Sequence, residues 1–337
     1  MAARCARDGT PPDARTGDAW NAPTPTASGD LLALRRRREL IDADPAAQPD
    51  RDESLARVRR GVYAQTEELR LASRRAQYLS RIQAVSATRD HPVFARESAL
   101  AVHGLPFGVE PEWVFTAGGV RTAGTKAGVV HSPVALDALD TVTVGELLVC
   151  SPAYALADVA RRRGALVAVA ALDAALRAGL VSVDEVFDAL SRQGPRGRRR
   201  AEWCIRFADG ASESVGESYS RVRIHQLGYP APELEPWVTG QSGRQYRPDM
   251  RWTRDLRRPL LGEFDGAVKY GELSDRAGRT AAQALADEKA REDDLRFEHD
   301  IVRWIWDHLM RPAQLDAVLA AHGLPRVRPP LISIGRE

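Results

Sequence analysis

Residues 246–270 read YRPDMRWTRDLRRPLLGEFDGAVKY, and the fold of the C-terminal half turns on this stretch. Asp249 follows a proline, the apolar pair Leu260–Leu261 leads into Glu263-Phe264-Asp265-Gly266, and Lys269 lies three residues further on. Two β-prone runs flank a basic turn, which predicts neighbouring strands. In the first, Tyr246, Met250 and Trp252 alternate against Arg247, Asp249 and Arg251. In the second, the period of two sets Glu263 and Asp265 on one face. Adjacent strands would bring Asp249 and Glu263 to one sheet edge, with Asp265 as a further ligand or water-orienting group. Oxygen donors of this kind suit Mg²⁺ or Mn²⁺, which needs only two carboxylates besides substrate phosphate and water. The expected chemistry is phosphodiester hydrolysis, in which the metal polarises a phosphoryl oxygen and a lysine opposes the developing charge.

Outward from this stretch, the pattern predicts a helix over 214–227 carrying Glu217, then strands near 234–239, 245–252 and 260–265. A long charged helix over 280–297, a strand at 301–306 and a helix over 312–322 follow, giving the order α-β-β-β-α-β-α. Each acid also has an ordinary reading. Glu217 can pair with Arg221 one turn on, Asp249 with Arg247, Arg251 or Arg254, and Asp265-Gly266 can be a plain turn. As an ordered set on α-β-β they point to a site.

Glu217, Pro248-Asp249 and Glu263-Phe-Asp265-Gly followed by Lys269-Tyr270 resemble the PD-(D/E)XK nuclease superfamily. The resemblance is closest to its bacterial branch akin to very-short-patch-repair endonucleases. The run EKAREDDLR (288–296) and the apolar strand after it are similar to that branch's second helix and last strand. The resemblance implies a restriction-endonuclease-like domain over 213–325 and a metal-dependent DNA endonuclease serving phage defence or DNA repair. It also implies an α/β (α+β overall) fold with an α-β-β-β-α-β core, and Glu217, Asp249, Glu263 and Asp265 as site acids. The superfamily motif wants lysine two residues after the second acid, where this chain has Asp265. The cation must then come from Lys269 or from Lys289.

Residues 1–28 are polar and rich in Pro, Gly, Ala and Asp, and are expected to form a disordered tail. In the 29–66 region, LLALRRRRELIDA (31–43) predicts a helix, DPAAQPDRDES (44–54) a loop, and LARVRRGVYAQ (55–65) a strand with a glycine. A small winged helix-turn-helix can end in this way, with Arg57, Arg59 and Arg60 on DNA phosphates; a solvated arginine-rich hairpin reads equally well. Residues 71–193 predict an α+β region. It starts with an amphipathic helix over 71–90 and a short strand and helix stopped at Gly104. A small sheet over 111–149 and three helices follow, the last opened by a Ser182–Glu185 capping box. His103 has no partner at ligand spacing and reads as a packed or capping histidine. LARVRRGVYA and ESALAVHGLP (97–106) are similar to winged-helix antitoxins of the AbiEi type. That likeness implies DNA binding, repression and a toxin partner, hence the rival function of a catalytically inactive DNA-binding regulator. An interaction scaffold is the third reading. The basic run at 194–204 is expected to be a linker or a helix start between the halves, within a linker region over 194–212.

Composition limits the alternatives without choosing among them. The formal charge is +2 over 337 residues, so the total makes no case for nucleic acid. Three cysteines without a CxxC argue against a disulfide framework and a zinc ribbon. No apolar run approaches the ~18 residues of a membrane span, and a cytoplasmic location without membrane contact is expected. Dinucleotide, P-loop, HExxH and GxSxG signatures are missing.

Overall fold

Residues 31–119, 124–255, 257–266 and 281–332 are described in the computed structural model of the chain. The expected tail over 1–28 and Lys269 lie outside them. The chain divides into two units, and the division falls inside one helix, between Ser218 and Tyr219. The helix, Val215–Gln226, is continuous across the division.

The N-terminal unit begins with β1 (Arg35–Arg36), α1 (Arg37–Ala43), β2 (Leu55–Arg59), β3 (Val62–Gln65), α2 (Thr66–Leu71) and α3 (Arg74–Ser86). The strands form an antiparallel sheet in the order β1-β3-β2. Two expectations change here. The helix predicted from Leu31 starts only at Arg37, because Arg35 and Arg36 pair with β3 and the Glu39 carboxylate holds the Arg36 N–H at 2.8 Å. The strand predicted over 55–65 gives way to its alternative, the arginine-rich hairpin, since Gly61 takes a φ of +78° that lets the chain reverse. On α3 the buried face is Tyr78, Leu79, Ile82 and Val85, as the periodicity predicts, while Leu71 is exposed.

A six-stranded mixed sheet follows, built from β4 (Val93–Phe94), β5 (Val114–Gly118), β6 (Gly124–Lys126), β7 (Val129–Pro133), β8 (Thr141–Val144) and β9 (Leu147–Cys150). Its order is β6-β7-β5-β4-β9-β8. Helix α4 (Arg96–Val102) sits between β4 and β5. His103 caps α4, and its Nε2 donates to the Cys150 carbonyl at 2.8 Å, the packed and capping role expected of it. Then come α5 (Pro152–Arg162), α6 (Ala165–Arg177), α7 (Val183–Ser191) and α8 (Arg198–Phe207). The Ser182–Glu185 capping box is present on α7. The segment expected as a linker or helix start contains α8, whose Ala201, Cys204 and Ile205 are buried while Arg199, Arg200 and Arg206 are exposed. The two regions expected at 29–66 and 71–193 belong to one unit.

The C-terminal unit is built from α9 (Val215–Gln226), β10 (Glu233–Leu234), β11 (Val238–Thr239), β12 (Gln245–Tyr246), β13 (Met250–Trp252) and β14 (Leu260–Phe264). These are followed by α10 (Ala281–Arg296), β15 (Asp300–Trp304), α11 (Trp306–Met310) and α12 (Pro312–Ala321). The sheet order is β10-β13-β14-β15, antiparallel except for the parallel pair β14–β15, which α10 connects. A parallel pair requires such a crossover. Two predicted strands are each split in two. The 234–239 run breaks at Glu235-Pro236 and the 245–252 run at Arg247–Asp249, both at a proline, which has no N–H to give to a ladder. One sheet face buries Trp252, Phe264 and Trp304 around Gly262, where a Cβ would lie 2.7 Å from both indoles. The Trp304 Nε1–H donates to Ser220 Oγ on α9 at 2.7 Å. Leu261 and Ile301, which alternate away from that face, pack with Val238, Tyr246 and Leu295 of α10. The chain is thus a mixed α/β protein, α+β overall. Among the described residues no helix is long and apolar enough to cross a membrane.

Candidate metal centre

Three carboxylates converge where α9 begins. Glu217, buried in the first turn of α9, is fixed by the loop before it. The Ser214 hydroxyl donates to Glu217 Oε1 at 2.6 Å and the Glu213 N–H donates to Oε2 at 2.6 Å. Ser214 Oγ in turn accepts the Glu217 N–H at 3.2 Å, so the carboxylate is held by a helix-capping arrangement. Asp249 stands just before β13, and its Oδ2 accepts the Phe264 N–H of β14 at 2.7 Å. Glu235 follows β10. Its N–H donates to the Asp249 carbonyl at 3.0 Å, and its Oε2 lies 3.2 Å from Arg247 Nε. One carboxylate oxygen from each of Glu217, Glu235 and Asp249 lies within 4.8 Å of the other two.

Glu235 also carries backbone strain. Its φ is +49°, a left-handed conformation that an L side chain with a Cβ adopts at a cost of about 1–2 kcal/mol. Strain of this kind persists where the surroundings over-determine the conformation, often at a site. Here the Asp249 carbonyl and the following proline hold the turn, and the turn aims the Glu235 carboxylate at the other two.

The acids predicted beside Asp249 are placed differently. Strands β13 and β14 are neighbours, as expected. Glu263, however, is buried, and both of its oxygens are occupied. Arg291 Nη2 of α10 donates to Oε1 at 2.5 Å, and Arg303 Nη2 of β15 lies 2.9 Å from Oε2. The same guanidiniums reach Glu288, Arg303 lies 3.6 Å from Glu292, and Glu292 also takes Arg296, so six charged groups form one network. Burial pulls both arginines' pKa values down, but the surrounding carboxylates outweigh it and leave them above the usual guanidinium value. Asp265 is half-buried, donates its N–H to the Trp304 carbonyl at 2.8 Å, and is not part of the converging group. Lys289 is exposed on α10. Of the arginines considered for Asp249, Arg251 pairs with Glu233 at 2.5 Å and Arg254 with Asp300. The structure therefore brings Glu217 and Asp249 together and ties Glu263 up elsewhere. It adds Glu235, which sequence reasoning passed over. The available signal was an acid directly before Pro236 at a strand end; the positive φ has no sequence signature for glutamate.

The fold and these acids define a mixed α/β protein with a carboxylate cluster beside a small sheet. The chain is 32% identical over 213 residues to two Mycobacterium tuberculosis proteins, the uncharacterized protein Rv2248 of strain H37Rv and the uncharacterized protein MT2308 of strain CDC 1551. The match covers 63% of this chain and 73% of each relative, and the chain belongs to their family. No protein-family model matches the chain, and no solved structure matches it at a significant level.

Proposed function

We propose that the chain is a divalent-metal-dependent phosphodiesterase acting on DNA, with Glu217, Glu235 and Asp249 as the metal's carboxylate ligands. The observation that carries this reading is the convergence of three carboxylates from α9, the β10–β11 turn and the β13 edge, one of them on a strained backbone. The donor set fits the group: hard oxygen donors suit Mg²⁺ or Mn²⁺ rather than softer metals. Three like charges within 4.8 Å repel by on the order of a few kcal/mol per ionised pair at an effective dielectric of about 20. A bound divalent ion would relieve that repulsion, polarise a phosphoryl oxygen and lower the pKa of an attacking water.

The chain's own residues prepare the site. The Phe264 N–H aims Asp249, and Ser214 with the Glu213 N–H aims Glu217, so neither carboxylate has to be ordered when substrate arrives. Glu263 is assigned to the arginine network rather than to the metal, which departs from the ligand set of Asp249, Glu263 and Asp265 expected from the sequence. The test is nicking of supercoiled plasmid by purified protein with Mg²⁺ or Mn²⁺. Wild type is expected to nick, Asp249→Asn to lose at least 100-fold, and Glu263→Gln to retain activity in proportion to its folded fraction. Equal nicking by wild type and Asp249→Asn would reject the reading.

The pairing of Glu263 with Arg291 and Arg303 favours a second reading, a DNA-binding regulator whose nuclease-like site is inactive. Under that reading the protein binds duplex DNA in a salt-dependent way and nicks nothing with either metal.

A further inference from the structure

Many arginines of both units are paired with carboxylates, among them Arg70, Arg162, Arg163 and Arg192 in the N-terminal unit, but four at one N-terminal cleft are not. In the C-terminal unit, Arg251, Arg254, Arg291, Arg296, Arg303 and Arg326 are each paired with a carboxylate. In the N-terminal unit, a cleft of about 760 Å³ lies between the β2–β3 hairpin, α3 and the β6–β7 turn. Arg59, Arg60 and Arg81 line it. Arg59 donates from Nε to Thr88 Oγ1 at 2.8 Å and from Nη1 to the Ala127 carbonyl. Arg81 donates to the Glu112 carbonyl at 3.2 Å, its guanidinium 5.0 Å from the Tyr78 ring centroid. Arg89, just past α3, donates to the Lys126 carbonyl at 3.1 Å. Neutral oxygens from several elements therefore aim these guanidiniums. None of Arg59, Arg60, Arg81 and Arg89 has a carboxylate within ion-pair distance among the described residues. Among the described residues Glu112 is the one carboxylate residue on the lining, and Arg57, also on the lining, is 3.9 Å from Asp50. Burial, and then the nearby Arg89 charge, lower the Arg59 pKa, which is what a cationic site without its counter-anion produces.

Oriented, unneutralised guanidiniums are suited to bidentate capture of phosphate oxygens. Among the described residues no aromatic side chain lines the cleft, so they offer no platform on which unpaired bases could stack. We propose that this cleft binds the phosphodiester backbone of duplex nucleic acid, with Arg59, Arg60, Arg81 and Arg89 contacting phosphates and no base being read. Two of these contacts, from Arg81 and Arg89, extend the surface beyond the hairpin, to the end of α3 and toward the β6–β7 turn. The proposal does not depend on the hydrolase reading, and its test is made without metal.

The experiment measures binding of full-length protein to a fluorescein-labelled 20-base-pair DNA duplex in EDTA, over a series of KCl concentrations. Each neutralised phosphate contributes about −0.9 to the slope of log K against log salt. The triple variant R60A/R81A/R89A leaves the Arg59 anchor intact; circular dichroism checks its fold. It is expected to bind at least 10-fold more weakly with a slope shallower by roughly 2–3. R60K/R81K/R89K should recover most of the slope, and R251A/R296A, which removes carboxylate-paired arginines, should bind like wild type. An unchanged slope in the alanine triple variant, or an equal loss in R251A/R296A, would overturn the proposal. Displacement of the duplex by micromolar pyrophosphate would replace the polymer by a small phosphate ligand.

Discussion

Glu235 holds a left-handed backbone in which glycine would be unstrained, yet it carries a carboxylate aimed at two others. Strain of about 1–2 kcal/mol is relieved by Glu235→Gly, offset in part by about 0.4–1 kcal/mol of added unfolded-state entropy. The metal-free variant is therefore expected within ~1 kcal/mol of wild type in urea denaturation. If the carboxylate is a ligand, the same variant loses the rise in melting temperature that saturating Mn²⁺ gives the wild type, because a ligand stabilises only the state that binds it. A Mn²⁺ shift preserved in Glu235→Gly would remove Glu235 from the site. Glu217 and Asp249 were legible in the sequence, one as an acid in a helix's first turn and one as an acid after proline at a strand edge. Glu235 was not, since its role depends on a turn that brings it back under Asp249, and no periodicity encodes that turn.

At the level of elements, β14 shows why a motif can be read correctly as strand and wrongly as ligand set. Alternation puts Glu263 opposite the Trp252–Trp304 face, and the register with β15 sets it beside Arg303. The partner that decides its role comes from α10, through Arg291, and a contact across 28 residues is invisible to local pattern. Glu263→Gln is expected to cost about 1–3 kcal/mol by removing charge-assisted bonds inside the network, with the Mn²⁺ shift unchanged. Gly262→Ala on the same strand is expected to cost about 1–3 kcal/mol, since the new methyl meets two indoles that have no room to move. Chemical denaturation measures both. The α4–β9 contact gives a pH dependence. Burial lowers the His103 pKa, and the hydrogen bond to the Cys150 carbonyl only partly opposes it. The folded state thus prefers neutral imidazole, while the unfolded chain protonates near pH 6.5. Stability from this group is present above about pH 6.5 and is lost as pH falls through the lowered folded value. Melting temperatures of wild type and His103→Gln from pH 8 to 5 should diverge on the acid side, the wild type falling faster; parallel curves would remove His103 as the cause.

Across the whole molecule the formal charge of +2 conceals a sorting. Arginines of the C-terminal sheet and α10 are matched by acids, whereas at the N-terminal cleft Arg57 faces Asp50 but Arg59, Arg60, Arg81 and Arg89 have no carboxylate within ion-pair distance among the described residues. Composition sums over both, so it could not have revealed either. The order of elements in the C-terminal half was legible because apolar alternation and helical periodicity are local. The run at 55–65 stayed open between strand and hairpin, and the run at 194–204 between linker and helix start, because a glycine reversal and a buried stripe under an arginine-rich run both look like surface chain. The central claim is that Glu217, Glu235 and Asp249, rather than Glu263, hold the metal that hydrolyses DNA. It is tested most directly by plasmid nicking in Mn²⁺ with Glu235→Gln and Glu263→Gln side by side, each normalised to folded protein. The account predicts at least a 100-fold loss in Glu235→Gln and near wild-type nicking in Glu263→Gln; the reverse order would contradict it.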